Sequence, residues 1–290
     1  MGIDIHAFNF IKLQAARHPL GKVLTIGRQS LSVDPGFIEM DLGTTIERTG
    51  YCEPVLLALN ADSVESLDLS DYEGATYIAD LNQSLSIDAK FDTIIDSGTL
   101  EHVFDVAAAF RNTINLCRIG GRIIHFLPVN NLNGHGFWQF SSDLLYSIYS
   151  EKNGFTGTDV YYASSLDSSF WYKVPEAKPG VRIEIVSLEP IILLSVACKV
   201  RHAESISVMQ PFYAPAWNPE SASSTRTAEK DVSSIKKIVK RLFVRRGRLM
   251  NSIRNLHLIV GLMTGASHYS LNSSCFRKIR VDQALRGQRT

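Results

Sequence analysis

The stretch FDTIIDSGTLEHVFDVAAAFRNTINLCRIGGRIIHFLP, residues 91–128, decides the fold of this chain. Two apolar runs, Phe91–Ile95 and Ile123–Leu127, flank a segment with helical spacing at Val106–Leu116, and a Gly-Gly pair precedes the second run. This order predicts a strand, a helix and a parallel strand, which is one complete crossover unit. Polar residues follow the first strand, and open parallel sheets bind ligands at the carboxyl ends of their strands. The stretch therefore predicts both an α/β fold and the edge that carries the site.

Apolar runs without strict alternation recur along the first 200 residues, which is typical of strands covered on both faces by helices. The other predicted strands are Lys22–Gly27, Val64–Asp68, Ala75–Ala79, Thr158–Tyr162, Arg182–Leu188 and Pro190–Val200. The predicted helices are Phe8–Arg17, Phe37–Arg48, Glu53–Leu59 and a segment from a Ser141 cap to Lys152. This alternation predicts an α/β fold with a mostly parallel, Rossmann-like sheet and helices on both faces. The last two strands are expected to form an antiparallel edge pair.

Composition excludes several classes of protein. The 290 residues are 45% apolar and 20% charged, which is enough for a sizeable core. The net charge of +1 gives no support for a nucleic-acid partner. The N-terminus lacks the apolar core of a signal peptide, and no apolar run reaches the roughly 18 residues of a membrane span. Together with four scattered cysteines that favour buried free thiols, these features predict a cytoplasmic protein.

The composition changes after residue 202. Residues 203–229 are rich in Ser, Pro and Ala, and they predict a flexible linker between a domain at 1–202 and an extension at 230–290. Nine Lys or Arg and one acid lie between Lys230 and Arg254, with apolar residues at helical spacing. This pattern predicts a basic amphipathic helix with a break at Gly247. The helix either binds an anionic membrane surface or a partner groove, or it packs on the domain with a solvated basic face.

Acidic residues end three successive predicted strands, at Asp68, Asp80 and Asp96. A carboxylate after the second strand can accept hydrogen bonds from both hydroxyls of a ribose. One after the third strand can accept a hydrogen bond from an adenine amino group. Gly27 ends the first strand, where the backbone of such folds approaches a nucleotide closely. A lone glycine after a strand is more often only a turn, and Asp68 or Asp80 alone is equally well explained as a cap or turn residue. Three acids at the ends of successive strands favour a binding site.

Two histidines are candidates for proton transfer at this edge. His102 follows the polar turn after the opening strand, and His135 begins the loop HGFWQF after the next strand. The imidazole pKa lies near neutrality, which suits a general base, and the aromatic residues of the loop can wall a substrate pocket. The alternatives are a solvated histidine at a helix start and aromatic residues that anchor the following helix.

Three stretches together resemble class I S-adenosylmethionine-dependent methyltransferases over roughly residues 20–200. They are the opening stretch with its Glu-His pair, SLDLSDYEGATYIADLN at 66–82, and GHGFWQFSSDLLYSIYSEKNGF at 134–155. The last of them is similar to bacterial methyltransferase-like proteins of unassigned substrate. The resemblance implies S-adenosylmethionine as cofactor. The implied contacts are Gly27 at the first turn, Asp68 at the ribose, Asp80 and Leu81 at the adenine, and Asp96, Ser97 and Gly98 at the methionine part.

Methyl transfer requires mainly that the acceptor lies in line with the methyl group, and a hydroxyl acceptor also needs a base. The resemblance therefore implies methylation of a hydroxyl on a small molecule or glycan, with His102 or His135 as base. The turn TIGRQSL has Thr25 where the family has an acid, with Arg28 and Gln29 in place of glycines. A degenerate methyltransferase fold that only binds or scaffolds is therefore the alternative. A nicotinamide-dependent oxidoreductase is disfavoured because GxGxxG is lacking, and the sequence indicates neither a metal site nor an oligomeric state.

Overall fold

The computed structural model describes residues 2–213, 247–264 and 269–287. The strands are β1 (Gly2–Ile3), β2 (Gly21–Ile26), β3 (Ser30–Leu31), β4 (Ala61–Asp68), β5 (Tyr77–Ile78), β6 (Phe91–Ser97), β7 (Cys117–Asn130), β8 (Phe155–Ser164), β9 (Phe170–Val174), β10 (Ile191–Lys199) and β11 (Arg277–Arg280). The helices are α1 (Ile5–Arg17), α2 (Pro35–Leu42), α3 (Glu53–Ala58), α4 (Val106–Leu116), α5 (Ser142–Ile148), α6 (Gly247–Thr264) and α7 (Val281–Arg286). Short 3₁₀ turns lie at Leu100–His102, Glu151–Asn153 and Pro211–Tyr213.

Nine strands form one sheet in the order β11-β9-β8-β10-β7-β6-β2-β4-β5. The five strands from β7 to β5 run parallel, and their order places the first of them, β2, at the centre beside β6. The chain leaves β2 first toward one side and then toward the other, so the switch point of this doubly wound sheet lies between β2 and β6. The predicted α/β fold with a mostly parallel, Rossmann-like sheet is confirmed.

The core occupies both faces of this sheet. On β6, Ile94 packs in one buried cluster with Phe110 of α4, whereas Ile95 packs in a second cluster with Phe10 of α1. Adjacent residues of a strand point to opposite faces, so burial on both faces requires an unbroken apolar run. This is why the strands of the opening stretch lack alternation.

Helix α4 coincides with its sequence prediction at both ends. Asp105 is its N-cap, and its side chain accepts a hydrogen bond of 2.9 Å from the N–H of Ala108. The apolar residues Phe110 and Ile114 lie four positions apart and face the sheet. The helix ends where Cys117 begins β7.

The antiparallel edge is present, but other strands form it. The predicted strand Arg182–Leu188 is wrong, because this segment joins no sheet ladder and the guanidinium of Arg182 stacks on Phe212 at 4.0 Å instead. Its predicted antiparallel pairing with Pro190–Val200 is therefore also wrong. Strand β10 instead pairs antiparallel with β7 on one side and β8 on the other. Strand β9, which the sequence pattern did not indicate, continues the edge.

The C-terminal residues return to the sheet. Strand β11 pairs antiparallel with β9, and Val281 and Leu285 of α7 pack against the cluster that contains α1. Helix α6 begins at Gly247, the predicted break, while residues 230–246 of the predicted basic helix and 214–229 of the predicted linker lie outside the described residues. The predicted domain boundaries stay a prediction. Among the described residues, the helices lack the length and apolar content needed to cross a bilayer.

Candidate functional site at the switch point

Strands β2, β4 and β6 bring three of the predicted site residues to one edge. Ile26, the last residue of β2, lies opposite Leu67 of β4 and Asp96 of β6 in the sheet register. The N–H of Gly27 donates to the carbonyl of Leu67 at 2.6 Å. Gly27, Asp68 and Asp96 therefore flank the switch point, where ligands of such sheets bind.

The turn at Gly27 packs tightly against the turn after β6. Gly27 has φ of +76°, and a Cβ atom at this position would lie 2.5 Å from Thr99 Oγ1. The Thr99 hydroxyl donates to the carbonyl of Ile26 at 2.7 Å, and Gln29 Nε2 donates to the same carbonyl at 2.5 Å. Gln29 is buried, and its Oε1 has no hydrogen-bond partner within the described part of the chain. Only glycine therefore fits at position 27. The Oε1 atom of Gln29 beside it is a buried acceptor that a ligand could satisfy.

The larger side chain of the turn, Arg28, points to α3 and a neighbouring loop. Its Nε donates to Glu53 at 2.7 Å, its guanidinium stacks on Tyr51 at 4.1 Å, and one terminal nitrogen donates to the carbonyl of Glu73 at 2.5 Å. The hydrogen bond to Glu53 raises the pKa of Arg28. Asp68 is half-buried and accepts hydrogen bonds from the backbone N–H groups of Leu69 at 2.7 Å and Arg28 at 3.3 Å. The guanidinium is thus engaged away from the Asp68 carboxylate.

Asp80 and Leu81 lie in the turn after β5. The N–H of Ala79 donates to the carbonyl of Asp68 at 2.8 Å, which joins this turn to the end of β4. Asp80 accepts hydrogen bonds from the N–H and the side-chain amide of Asn82, and these bonds lower its pKa. The Leu81 side chain packs in the core below the edge. Asp80 is therefore placed at the same edge as Asp68, whereas Leu81 presents only its backbone there.

The carboxylate of Asp96 is fully buried and fully partnered. One oxygen accepts from the N–H of Thr99 at 3.0 Å, and the other lies 2.9 Å from Nδ1 of His125 on the adjacent strand β7. The hydroxyl of Tyr149 lies 2.6 Å from Nε2 of the same imidazole. A carboxylate can only accept, so Nδ1–H of His125 donates to Asp96, and Nε2 lies within hydrogen-bond distance of the Tyr149 hydroxyl. Burial raises the pKa of Tyr149 well above its ordinary value, which keeps the phenol protonated.

His125 and Tyr149 were not among the residues predicted from the sequence. The available signal is a histidine inside the apolar run IIHFL, at the position that pairs with Asp96 in the parallel register. Next to Asp96, Ser97 donates its hydroxyl proton to the carbonyl of Gly2 at 3.0 Å, and Gly98 has φ of +87°. These contacts fix the turn that leads to the two candidate bases.

Glu101 is the least satisfied polar side chain of this edge. It is 0% exposed, and neither carboxylate oxygen has a hydrogen-bond partner among the described residues. Burial, together with the nearby charge of Asp96, raises its pKa to about 8. Charged side chains are rarely buried without a partner, so this carboxyl group is a candidate functional residue that was not selected from the sequence.

The two candidate bases meet beside Glu101. The ring centroids of His102 and His135 lie 6.2 Å apart, and His102 Nε2 lies 4.0 Å from a carboxylate oxygen of Glu101. Burial lowers the pKa of His102, whose side chain is still about half exposed. The Nε2 atom of His135 is buried and has no partner within the described ranges.

The loop after β7 is fastened to the turn that carries Glu101. The N–H groups of Phe137 and Trp138 donate to the carbonyl of Glu101 at 2.7 and 3.2 Å, and the indole N–H of Trp138 donates to the carbonyl of Val103 at 2.9 Å. A Cβ atom on Gly136 would lie 2.6 Å from Glu101 Cγ. This loop therefore covers Glu101, and the pocket wall expected from its aromatic residues stays a prediction.

The part of the chain described here contains no cluster of three His, Cys, Asp or Glu residues that could hold a metal ion. A groove of about 800 Å³ lies elsewhere, between α4 and the connection from β5 to β6. Its lining includes Lys90, Arg111 and Lys199 but not Asp68, Asp96 or Glu101. The candidate site rests on the convergence of polar groups at the strand ends and not on this groove.

No family model and no curated protein matches the sequence. Among solved structures, a methyltransferase of Thermotoga maritima is 15% identical with a TM-score of 0.36, over 67% of this chain and 91% of that chain. The N-methyltransferase NodS of Bradyrhizobium japonicum, in complex with S-adenosylhomocysteine, is 14% identical with a TM-score of 0.39, over 68% and 86%. A phosphoethanolamine N-methyltransferase of Haemonchus contortus is 11% identical with a TM-score of 0.40, over 67% and 52%. The chain has the Rossmann-like α/β fold described above, and these solved structures similar to it are S-adenosylmethionine-dependent methyltransferases.

Proposed function

We propose that this chain is an S-adenosylmethionine-dependent methyltransferase that acts on a hydroxyl of a small molecule or glycan. The observation that carries the proposal is the convergence of Gly27, Asp68 and Asp96 at the switch point of the parallel sheet, with Asp80 on the same edge after β5. Adenosine has two ribose hydroxyls and an amino group. Each of these groups can donate a hydrogen bond to a carboxylate. The carboxylates of Asp68 and Asp80 at this edge match those donors.

The residues present fit this cofactor. Asp68 would hold the ribose, Asp80 the adenine, and the turn of Asp96, Ser97 and Gly98 the methionine part. Two buried acceptors have no partner among the described residues, Gln29 Oε1 and the Glu101 carboxylate, and they suit the donors of the ammonium group. When bound, the cofactor supplies an electrophilic methyl group.

The two histidines are the proposed bases that remove the proton of the acceptor hydroxyl. His102 has a lowered pKa, so its imidazole is neutral near pH 7 and can accept a proton from a hydroxyl. His135 lies on the loop that faces it, with the ring centroids 6.2 Å apart. Either imidazole can therefore serve as the base, and the loop residues Phe137 and Trp138 position the acceptor.

Calorimetry of the full chain with S-adenosylmethionine tests the proposal. We expect binding in the micromolar range, and Asp68→Asn should weaken it by roughly tenfold because a charge-assisted hydrogen bond is lost. Asp62→Asn is the matched control, since Asp62 lies exposed on the same strand. With a panel of sugars as acceptors, methyl transfer should be lost when both His102 and His135 are replaced by alanine. Full turnover in that double variant would rule out the proposed bases.

A non-catalytic binding or scaffold protein is the second candidate. The observation in its favour is the Thr99 hydroxyl that fills the space above Gly27, with Gln29 hydrogen-bonded beside it. If the turn stays closed in this way, no heat of binding is expected even at high micromolar cofactor. The same titration therefore separates the two candidates.

We further propose that an anionic membrane surface is a partner of this chain, through α6 and the basic residues before it. Leu256, Val260 and Met263 are exposed and lie at positions i, i+4 and i+7, which places them on one face of the helix. Leu262 is buried. An apolar stripe next to basic residues is the composition of helices that lie in a membrane interface. The protein would then be cytoplasmic and peripheral at the membrane.

A further inference from the structure

Glu101 combines two properties that rarely occur together. Its side chain is completely buried, and both of its carboxylate oxygens lack a hydrogen-bond partner in the described part of the molecule. A protonated carboxyl group does not resolve this, because its O–H would then be a buried donor without an acceptor. The energetic cost of an unsatisfied buried group makes a purely structural glutamate at this position unfavourable.

The groups around this carboxyl come from three elements. Asp96 at the end of β6 is engaged with Thr99 and His125, so it offers no proton to Glu101. His102 on the same turn lies 4.0 Å away, beyond hydrogen-bond distance. His135 lies on the covering loop, and its buried Nε2 has no partner among the described residues either. Among the described residues the surroundings therefore supply one negative charge and two imidazoles, and the positive charge of the amino terminus lowers the pKa of Glu101 by less than burial and Asp96 raise it.

We propose that Glu101 is the counter-ion for a positive charge of the bound cofactor and that it loses its proton when the cofactor binds. The inference rests on the proposed function and adds a role for a residue outside the implied cofactor contacts. Glu101 lies on the turn that follows Asp96, Ser97 and Gly98, the side assigned to the methionine part. That part carries the sulfonium and ammonium charges of S-adenosylmethionine.

The proton balance of this step is simple. In the free protein the pKa of about 8 keeps most of Glu101 protonated at pH 7. A cation within a few ångströms favours the carboxylate, so the O–H bond breaks and the proton passes to the buffer. Binding at pH 7 should therefore release close to one proton per site. At pH 9.5 Glu101 is already ionised before binding, so its release should vanish. The amino group of the ligand is partly neutral at that pH, so binding of its ammonium form would take up protons instead.

Calorimetric titrations at pH 7 in buffers of different ionisation enthalpy measure this release directly. We expect close to one proton released for the wild type and none for Glu101→Gln, with roughly tenfold weaker binding in that variant. Glu151→Gln, at an exposed position, is the matched control and should behave as the wild type. His102→Gln should keep the release, which excludes the neighbouring imidazole as its source. Circular dichroism verifies that each variant is folded.

S-adenosylhomocysteine has the ammonium group but lacks the sulfonium charge. A titration with this ligand therefore distinguishes which of the two charges pairs with Glu101. Release with both ligands identifies the ammonium group as the partner, and release with S-adenosylmethionine alone identifies the sulfonium. Binding to the wild type without release at pH 7, or equal release at pH 7 and pH 9.5, overturns the inference and leaves the proposed function intact. Absence of binding overturns the proposed function and this inference with it.

Discussion

Asp96 and Glu101 are two fully buried carboxyl groups five residues apart, yet their surroundings differ completely. Asp96 accepts hydrogen bonds from a backbone N–H and an imidazole, so its local environment compensates the loss of water. Among the described residues, Glu101 receives no hydrogen bond from an imidazole or from the backbone of another residue, and burial raises its pKa to about 8. The Asp96 carboxylate stabilises the turn. The buried Glu101 carboxyl group instead destabilises the free protein, and a ligand that supplies a positive charge would remove this cost.

The stability of the protein should depend on pH through Glu101. Its folded-state pKa of about 8 lies above the ordinary value of 4.5, so the folded chain binds more protons between these values and stability falls as pH rises through this window. Glu101→Gln removes this term, on the order of a few kcal/mol. Without ligand, we expect the wild type to lose more free energy of unfolding than Glu101→Gln between pH 5 and pH 8. Parallel pH profiles in urea denaturation would contradict this expectation.

Residues of the site differ in how far the sequence can predict them. Asp68, Asp80 and Asp96 were predictable because each ends a strand, and parallel strands bring their carboxyl ends together. The burial of Glu101 was not predictable, because it depends on hydrogen bonds from Phe137 and Trp138, about 35 residues along the chain. Local patterns carry no information about such a contact.

The same distinction holds for whole elements. Helix α4 and strands β2, β4 and β6 have strong apolar patterns with clear ends, and they were predicted from the sequence. Strand β9 is only five residues long, and β11, which pairs with it, is contributed from more than 100 residues away. The segment Arg182–Leu188 has the alternation of a strand but pairs with none, since β10 takes both neighbouring ladders. Whether such a short segment forms a strand depends on the strand it pairs with. The propensity pattern of the segment carries no information about that partner.

The N-cap of helix α4 can be tested by mutation. This helix follows the turn that carries Glu101 and His102, and its N-cap is expected to stabilise it. Asp105→Ala removes the acceptor for the N–H of Ala108 and should lower the free energy of unfolding by about 1 kcal/mol. Asp88→Ala is the control, since Asp88 is exposed and caps no helix. Urea denaturation followed by circular dichroism measures both variants. An equal effect of the two substitutions would show that the cap does not stabilise the helix.

At the scale of the whole molecule, charge is distributed unevenly along the chain. The net charge of +1 comprises 30 basic and 29 acidic residues, but nine of the basic residues and only one acid lie between Lys230 and Arg254. The remaining residues therefore have 21 basic and 28 acidic side chains and are net negative. Strand β11 and helix α7, which follow this segment in the sequence, pair with β9 and pack against the cluster that contains α1.

This arrangement predicts salt-dependent binding to anionic vesicles. The full chain should co-sediment with vesicles of phosphatidylglycerol and phosphatidylcholine and not with phosphatidylcholine alone, because each basic residue near an anionic surface contributes about 1 kcal/mol. Replacing Lys236, Lys237, Lys240 and Arg241 by glutamine should reduce binding by up to roughly a thousandfold, since the four contributions sum to about 4 kcal/mol.

The apolar face of α6 provides the second arm of this experiment. Leu256→Gln with Met263→Gln should also weaken vesicle binding, since both side chains are exposed and would insert between lipids. Met40→Gln with Leu166→Gln is the matched control, because these residues are equally apolar, 77% and 74% exposed, and lie outside α6. If the charge variant loses binding and the α6 variant does not, the attraction is electrostatic alone and the helix face has another role. If neither variant loses binding, the membrane is not a partner of this segment, and the basic residues form a solvated face.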